Sequence, residues 1–241
     1  MTAPVFRFNP RPHIERVDLF RGRACFVVDD ALLEPERLVD FAAMHAGDFQ
    51  SVDFNAYPGL LLTAPSALLQ ALRDFFVEHV RRAFDARRVL RMHGRFSVVT
   101  LAPHELRPYQ TICHVDGLNT GPGESIQASV LYLFDDPSLG GTSFYVPAQP
   151  LAEMQQLLAD TKTLTAEQFS RRHGVARAYM CDSNTYFHRV GRVEAKWNRL
   201  IFYDGATLHS GDIHAPERLS ADPRRGRLTL NGFFTSRRRA G

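Results

Sequence analysis

S-I-Q-A-S-V-L-Y-L-F, residues 125 to 134, is an apolar run rich in β-branched and aromatic side chains. It is too short for a membrane helix and carries no helical period, so it reads as a strand. Turn signals bracket it, N-T-G-P-G before and D-D-P-S-L-G-G after. Working outward, the same texture recurs in F-S-V-V-T-L at 96 to 101 and T-S-F-Y-V at 142 to 146. It returns in A-Y-M-C (178 to 181), T-Y-F-H-R-V (185 to 190), N-R-L-I-F-Y (198 to 203) and R-L-T-L-N-G-F-F (227 to 234), with S-G-D and D-P-R-R-G between the later runs. Many short strands with helices mostly outside the series predict a mainly β fold with flanking helices (α+β), a sandwich or barrel rather than a βαβ array.

Helical patterns lie outside that series. Pro35 to His45 is one, and Ser66 to Phe84 is a second, with Leu68, Leu69, Leu72, Phe75, Phe76, Val80 and Ala83 on one face. Leu151 to Leu158 and Ala166 to His173 form a helical interruption between strands. The chain has 241 residues, 44% of them hydrophobic, without repeats or a Gly/Ser/Pro-rich linker, and this predicts one domain. Net charge is +3 and the one basic cluster, Arg237 to Arg239, reads as a solvated tail, so no nucleic-acid partner is expected. The absence of an 18-residue apolar window and of a signal-peptide segment predicts no membrane association and a cytoplasmic location. Cys25, Cys113 and Cys181 are widely spaced, which predicts reduced thiols and no thiolate zinc site.

The chemistry centres on T-I-C-H-V-D-G-L-N, residues 111 to 119. On an extended chain residues i and i+2 share a face, so His114 and Asp116 can hold one ion while Cys113 points the other way. A third ligand must come from elsewhere. His209, in L-H-S-G directly after an apolar strand, is the leading candidate, with His188 in reserve. Two histidines and a carboxylate leave about half of an octahedral sphere open, the facial triad of oxygen-activating non-haem iron; zinc is the rival metal. Arg227 is costly to bury in the last strand without an anionic partner, and with Thr229 on the same face it makes a fork and a hydroxyl suited to a carboxylate. Arg95, Arg107, Tyr109 and Asn119 are further pocket candidates by position.

Together these residues resemble the Fe(II)- and 2-oxoglutarate-dependent dioxygenases, most closely the prolyl-hydroxylase branch. The resemblance runs from Phe96 to Phe234 through H-V-D-G, V-L-Y-L-F, G-G-T-S-F, N-R-L-I-F-Y with L-H-S-G, and R-L-T. It implies a double-stranded β-helix (jelly-roll, cupin-like) core at 94–236, with a helical N-terminal support at 1–93 and a helical insertion near 147–178. It also implies that His114, Asp116 and His209 hold Fe(II), and that Arg227 binds the 5-carboxylate of 2-oxoglutarate with help from Tyr132 and Thr229. The implied reaction hydroxylates a C–H bond of an amino-acid-type substrate, free, peptidyl or a natural-product precursor. Dioxygen is consumed, succinate and CO2 are released, and ascorbate serves as reductant; a homodimer is a further expectation. The 18-residue spacing from His209 to Arg227 is wide for that branch and makes Arg218 an alternative anchor. A cupin-like barrel that binds metal or ligand without turnover is the competing reading.

Overall fold

The computed structural model describes residues 6–52, 57–117 and 120–238. In chain order the elements are β1 (Ile14–Phe20), β2 (Arg23–Val28), α1 (Glu36–Met44), β3 (Gln50–Ser51), β4 (Gly59–Thr63), α2 (Ser66–Phe75), β5 (Ala86–Val99) and β6 (Glu124–Tyr132). There follow β7 (Thr142–Pro147), α3 (Leu151–Thr163), α4 (Ala166–His173), β8 (Phe187–Val193), β9 (Leu200–Asp204), β10 (Leu208–Gly211) and β11 (Arg227–Arg238). Two antiparallel sheets form, an eight-stranded one ordered β1-β2-β9-β6-β11-β5-β4-β3 and a three-stranded one ordered β10-β7-β8. The fold is mainly β with outer helices, as expected, in the jelly-roll arrangement.

Alternation along the central strands sorts the side chains into two layers. One face of the large sheet sends Phe26, Val28, Phe96, Val98, Leu131, Leu200, Phe202, Leu228, Leu230 and Phe234 against α1 and α2. The other sends Cys25, Val27, Ala128, Tyr132, Ile201 and Tyr203 towards Phe144 and Val193 of the small sheet. Gly94 of β5 and Gly232 of β11 stand opposite each other. A Cβ at Gly94 would lie 2.7 Å from a Leu69 methyl, and one at Gly232 would lie 2.9 Å from a Leu72 methyl. This glycine pair lets α2 rest on the sheet backbone.

Several expectations are corrected. The region before residue 94 is not simply a helical support, because β1 to β4 and the first half of β5 belong to the large sheet. The reason is long-range pairing: β2 finds its partner in β9, with Val27 opposite Ile201. The 66–84 helix is α-helical only to Phe75, then widens to a π turn over 76–80 and tightens to a 3-10 turn over 81–84. Phe75 and Phe76 are both buried, and a wider turn brings consecutive residues onto one packed side. L-H-S-G, which follows an apolar strand, is itself a strand, β10, whereas A-Y-M-C, read among the strands, is irregular. The insertion is α3 and α4; Met154, Leu157 and Phe169 pack with Ile112, Cys113, Tyr145 and Phe187 outside the small sheet. All three cysteines are free, and among the described residues no helix is long and apolar enough to cross a membrane.

Candidate active site

His114 and His209 meet through the backbone before their rings meet. The His114 amide donates to the His209 carbonyl at 2.9 Å and the His209 amide donates back at 2.8 Å, an isolated antiparallel bridge at the free edge of β10. Residues paired this way share a face, and the two rings lie 4.4 Å apart. Cys113 faces the opposite way, into the cluster under α3 and α4. Two residues on, the Asp116 amide donates to the Gly205 carbonyl at 2.7 Å, fixing where the carboxylate begins.

The ligand atoms of His114, Asp116 and His209 all lie within 4.8 Å of one another. Asp116 Oδ1 is 4.0 Å from His114 Nε2 and Oδ2 is 3.4 Å from His209 Nε2. His209 Nδ1 lies 2.9 Å from the Thr207 carbonyl, which accepts only, so Nδ1 carries the proton and the Nε2 lone pair faces the carboxylate. Burial pulls both imidazoles down to about 4, helped at His114 by the neighbouring His209. Both rings are uncharged at neutral pH, the form that ligates. Burial pushes Asp116 up to about 6 against the opposing pull of His114, Arg95 and a hydrogen bond from Tyr203. Asp116 Oδ2 is buried and has no hydrogen-bond partner among the described residues. An orphaned carboxylate oxygen between two neutral imidazole nitrogens fits a divalent cation with an N2O donor set and open positions. The His114 side chain is 44% exposed, against 7% for His209, so access to the centre runs past His114.

The triad lines a cavity of about 570 Å³ between the sheets. Arg227 and Thr229 line it too, both buried in the first turn-proximal residues of β11. The Arg227 guanidinium is held from behind: Nε donates to the carbonyls of Leu139 (2.9 Å) and Gly140 (3.1 Å), and Nη2 donates to that of Gly141 (2.8 Å). Gly140 has φ +78°, and a Cβ there would sit 1.6 Å from the Asp212 carbonyl oxygen, so this cradle needs the glycine. Thr229 Oγ1 is buried beside Tyr57 on the cavity wall. Tyr132 is fully buried behind the wall; its hydroxyl is 2.7 Å from Thr142 Oγ1, and it is Thr142 that reaches the cavity.

Arg95 and Tyr109 also line the cavity, but Arg107 is exposed, with Nη1 3.2 Å from the Tyr109 hydroxyl. Asn119 lies outside the described residues. Arg218 does not face the cavity: it is 58% exposed and paired with Asp136 at 2.7 Å. His188 is exposed on β8, away from the triad. Tyr57, His93, Ser97, Thr142, Asn231 and Tyr203 line the cavity without having been singled out. Alternation from Arg95 would have found His93 and Ser97. Asn231 follows in the same way from Arg227 and Thr229.

A second group, Cys181, Asp212 and His214, also has its ligand atoms within 4.8 Å. Here the buried Asp212 carboxylate already contacts Arg192 Nε and lies 3.1 Å from His214 Nε2. The guanidinium supplies the positive charge, and the group is an ion cluster bracing the end of β10.

A family model covers residues 10–234. The chain belongs to the DUF6445 family, a family of unknown function. No curated protein matches this DUF6445 member. Among solved structures it is similar to a Pseudomonas putida prolyl-4-hydroxylase, at 14% identity and TM-score 0.41 over 86% of each chain. It is also similar to the non-heme alpha ketoglutarate dependent epimerase SnoN from nogalamycin biosynthesis, at 14% identity and TM-score 0.46, over 92% of this chain and 83% of that one. A third is HygX from Streptomyces hygroscopicus with nickel and 2-oxoglutarate bound, at 10% identity and TM-score 0.41, over 89% and 84%.

Proposed function

We propose that this DUF6445 chain is an Fe(II)- and 2-oxoglutarate-dependent oxygenase. It hydroxylates a C–H bond of an amino-acid-type substrate, free, peptidyl or a natural-product precursor, and releases succinate and CO2. The observation that carries the reading is the buried Asp116 oxygen, unpartnered among the described residues, that faces two neutral imidazoles in a cavity whose wall also holds a backbone-braced arginine.

His114, Asp116 and His209 would hold the iron, and Arg227 with Thr229 would take the distal carboxylate of 2-oxoglutarate. When bound, iron and 2-oxoglutarate supply the oxidising chemistry by which dioxygen is reduced and the co-substrate decarboxylated. The chain's own residues do the positioning. Thr207 fixes the His209 tautomer and Tyr203 orients Asp116. The Leu139, Gly140 and Gly141 carbonyls aim the Arg227 fork, so that little side-chain freedom is lost on binding. Tyr57, Ile112, Ile126, Tyr179 and Phe233 shed water from the walls.

Anaerobic protein given Fe(II) and 2-oxoglutarate should develop the weak visible charge-transfer band of the chelate. Admitting oxygen, with ascorbate as reductant, should yield slow succinate release without added substrate. His209→Ala should lose both signals. A wild-type protein showing neither band nor succinate would overturn the proposal.

A further inference from the structure

We propose that the sheet face lining the cavity continues outward as a docking ledge for an acidic polypeptide, built from Arg88, Arg91 and Arg237. The residue that enters the cavity then belongs to a peptide chain whose acidic side chains lie a few positions away. This rests on the oxygenase reading of the cavity and selects the peptidyl substrate among its three classes.

Arg237 and Arg238 are not a solvated tail but the last rungs of β11; Arg239 lies outside the described residues. Cross-strand partners share a face, and every second residue along a strand returns to it. His93 and Phe233 are partners and both line the cavity, as does Ile126, the partner of Thr235. On that same face Arg91 stands opposite Thr235 from the other side, and Arg237 lies between Arg88 and Glu124. An ion pair that reaches across β11, Arg91 Nη2 to Glu124 Oε2 at 3.2 Å, shows the shared face directly. Arg88 is exposed and the Arg91 side chain is 67% exposed.

Reach and charge select the partner. Along β5, Arg91 lies about 7 Å and Arg88 about 17 Å beyond His93 at the rise of a strand. A free amino acid held at the triad cannot span that distance. An extended peptide rises by nearly the same step, so it sets acidic side chains on the ledge from about two to five positions past the residue at His93. Guanidinium forks receive carboxylates in pairs of hydrogen bonds. Glu124 argues for a polypeptide over a nucleic acid. Its Oε2 accepts from the Gly121 amide at 3.1 Å, which holds the carboxylate among the arginines. There it opposes an unbroken run of phosphates but can accept from peptide N–H groups. A base would need an open ring to stack on, whereas Phe233 is stacked on His93 at 4.9 Å and lies under the Arg95 guanidinium at 5.4 Å.

The probes are capped hexapeptides of three glycines followed by three glutamates, and of the reverse order, so that both chain directions are covered. Glutamine versions and a thymidylate hexanucleotide are the controls. In NMR titrations of the full chain with excess 2-oxoglutarate, a glutamate peptide should bind about tenfold tighter than its glutamine version, the scale of a few exposed ion pairs. Combining Arg91→Gln with Arg237→Gln should erase the preference, Arg91→Lys with Arg237→Lys should keep part of it, and Arg171→Gln on α4 should leave it intact. Equal binding of the two peptides, tighter binding of the thymidylate, or the same loss in Arg171→Gln overturns the proposal. Adding Mn(II) should then broaden the glycine resonances more than the glutamate ones, and not in His209→Ala. Stronger broadening of the glutamates that vanishes in His209→Ala puts the acidic end at the triad and also overturns it. A preference that depends on Arg91 and Arg237 without any broadening counts against the oxygenase reading and leaves the acidic docking ledge standing.

Discussion

Asp116 is the residue at which folding and function pull in opposite directions. Its carboxyl is raised to about 6 in the fold, chiefly by burial, from an unfolded value near 3.9. Above the folded value the group is ionised in both states and the folded one bears the desolvation. At about pH 3 and below it is largely protonated in both, and the difference vanishes. Asp116→Asn should therefore stabilise the metal-free protein at pH 8 by about 3 kcal/mol and leave it nearly unchanged at about pH 3, while divalent-ion binding disappears. Denaturant titrations at the two pH values, with chelator present, check this. An equal effect at both would rule out the burial account. His114, Asp116 and His209 were legible because H-x-D and L-H-S-G keep chemistry and spacing within a few residues. Thr142 was not, because its place in the cavity wall depends on which strand lies alongside, a fact of register that no local pattern carries. Tyr132 marks the same gap: the sequence pairs it with Arg227, whose guanidinium lies over its ring at 6.0 Å, but its hydroxyl is turned to Thr142.

At the scale of elements, the contact of α2 with β5 and β11 depends on two positions without side chains. A Cβ at Gly94 would also meet the Asn231 carbonyl at 2.8 Å, a backbone atom, whereas the close neighbours of one at Gly232 are the Ser129 hydroxyl and the Leu72 methyl. Side-chain ends can turn aside and a strand carbonyl held in a ladder moves little. Gly94→Ala should thus lie at the upper end of the roughly 1–3 kcal/mol expected for overpacking, and Gly232→Ala at the lower end. Urea midpoints of the two variants test the order. The central strands were legible from their β-branched, aromatic runs, and the long helix from its stripe of Leu and Phe. The N-terminal hairpin was harder to read. I-E-R-V-D-L-F mixes charges into an edge strand, and only the distant β9 makes a sheet member of β2.

For the whole molecule, the two sheets are unequal in how they are closed. The large one is continuous over eight strands, while among the described residues the segment bearing His114 and Asp116 joins the small one through one reciprocal pair of hydrogen bonds with His209. The mouth of the barrel is therefore latched at one rung, and the side chains of that rung are the imidazoles that would share an ion. Local opening there breaks few bonds, which places it at the low end of the molecule's range of opening free energies. An ion bound by both rings would have to be released before the rung could part. In hydrogen–deuterium exchange the His114 and His209 amides should exchange quickly in chelator and slow by at least about tenfold in saturating divalent metal, while amides in the middle of β11 keep their rates. Unchanged rates at those two amides would separate ion binding from the latch. Their slowing would mean that the protein senses its metal as a change in how long the barrel stays shut.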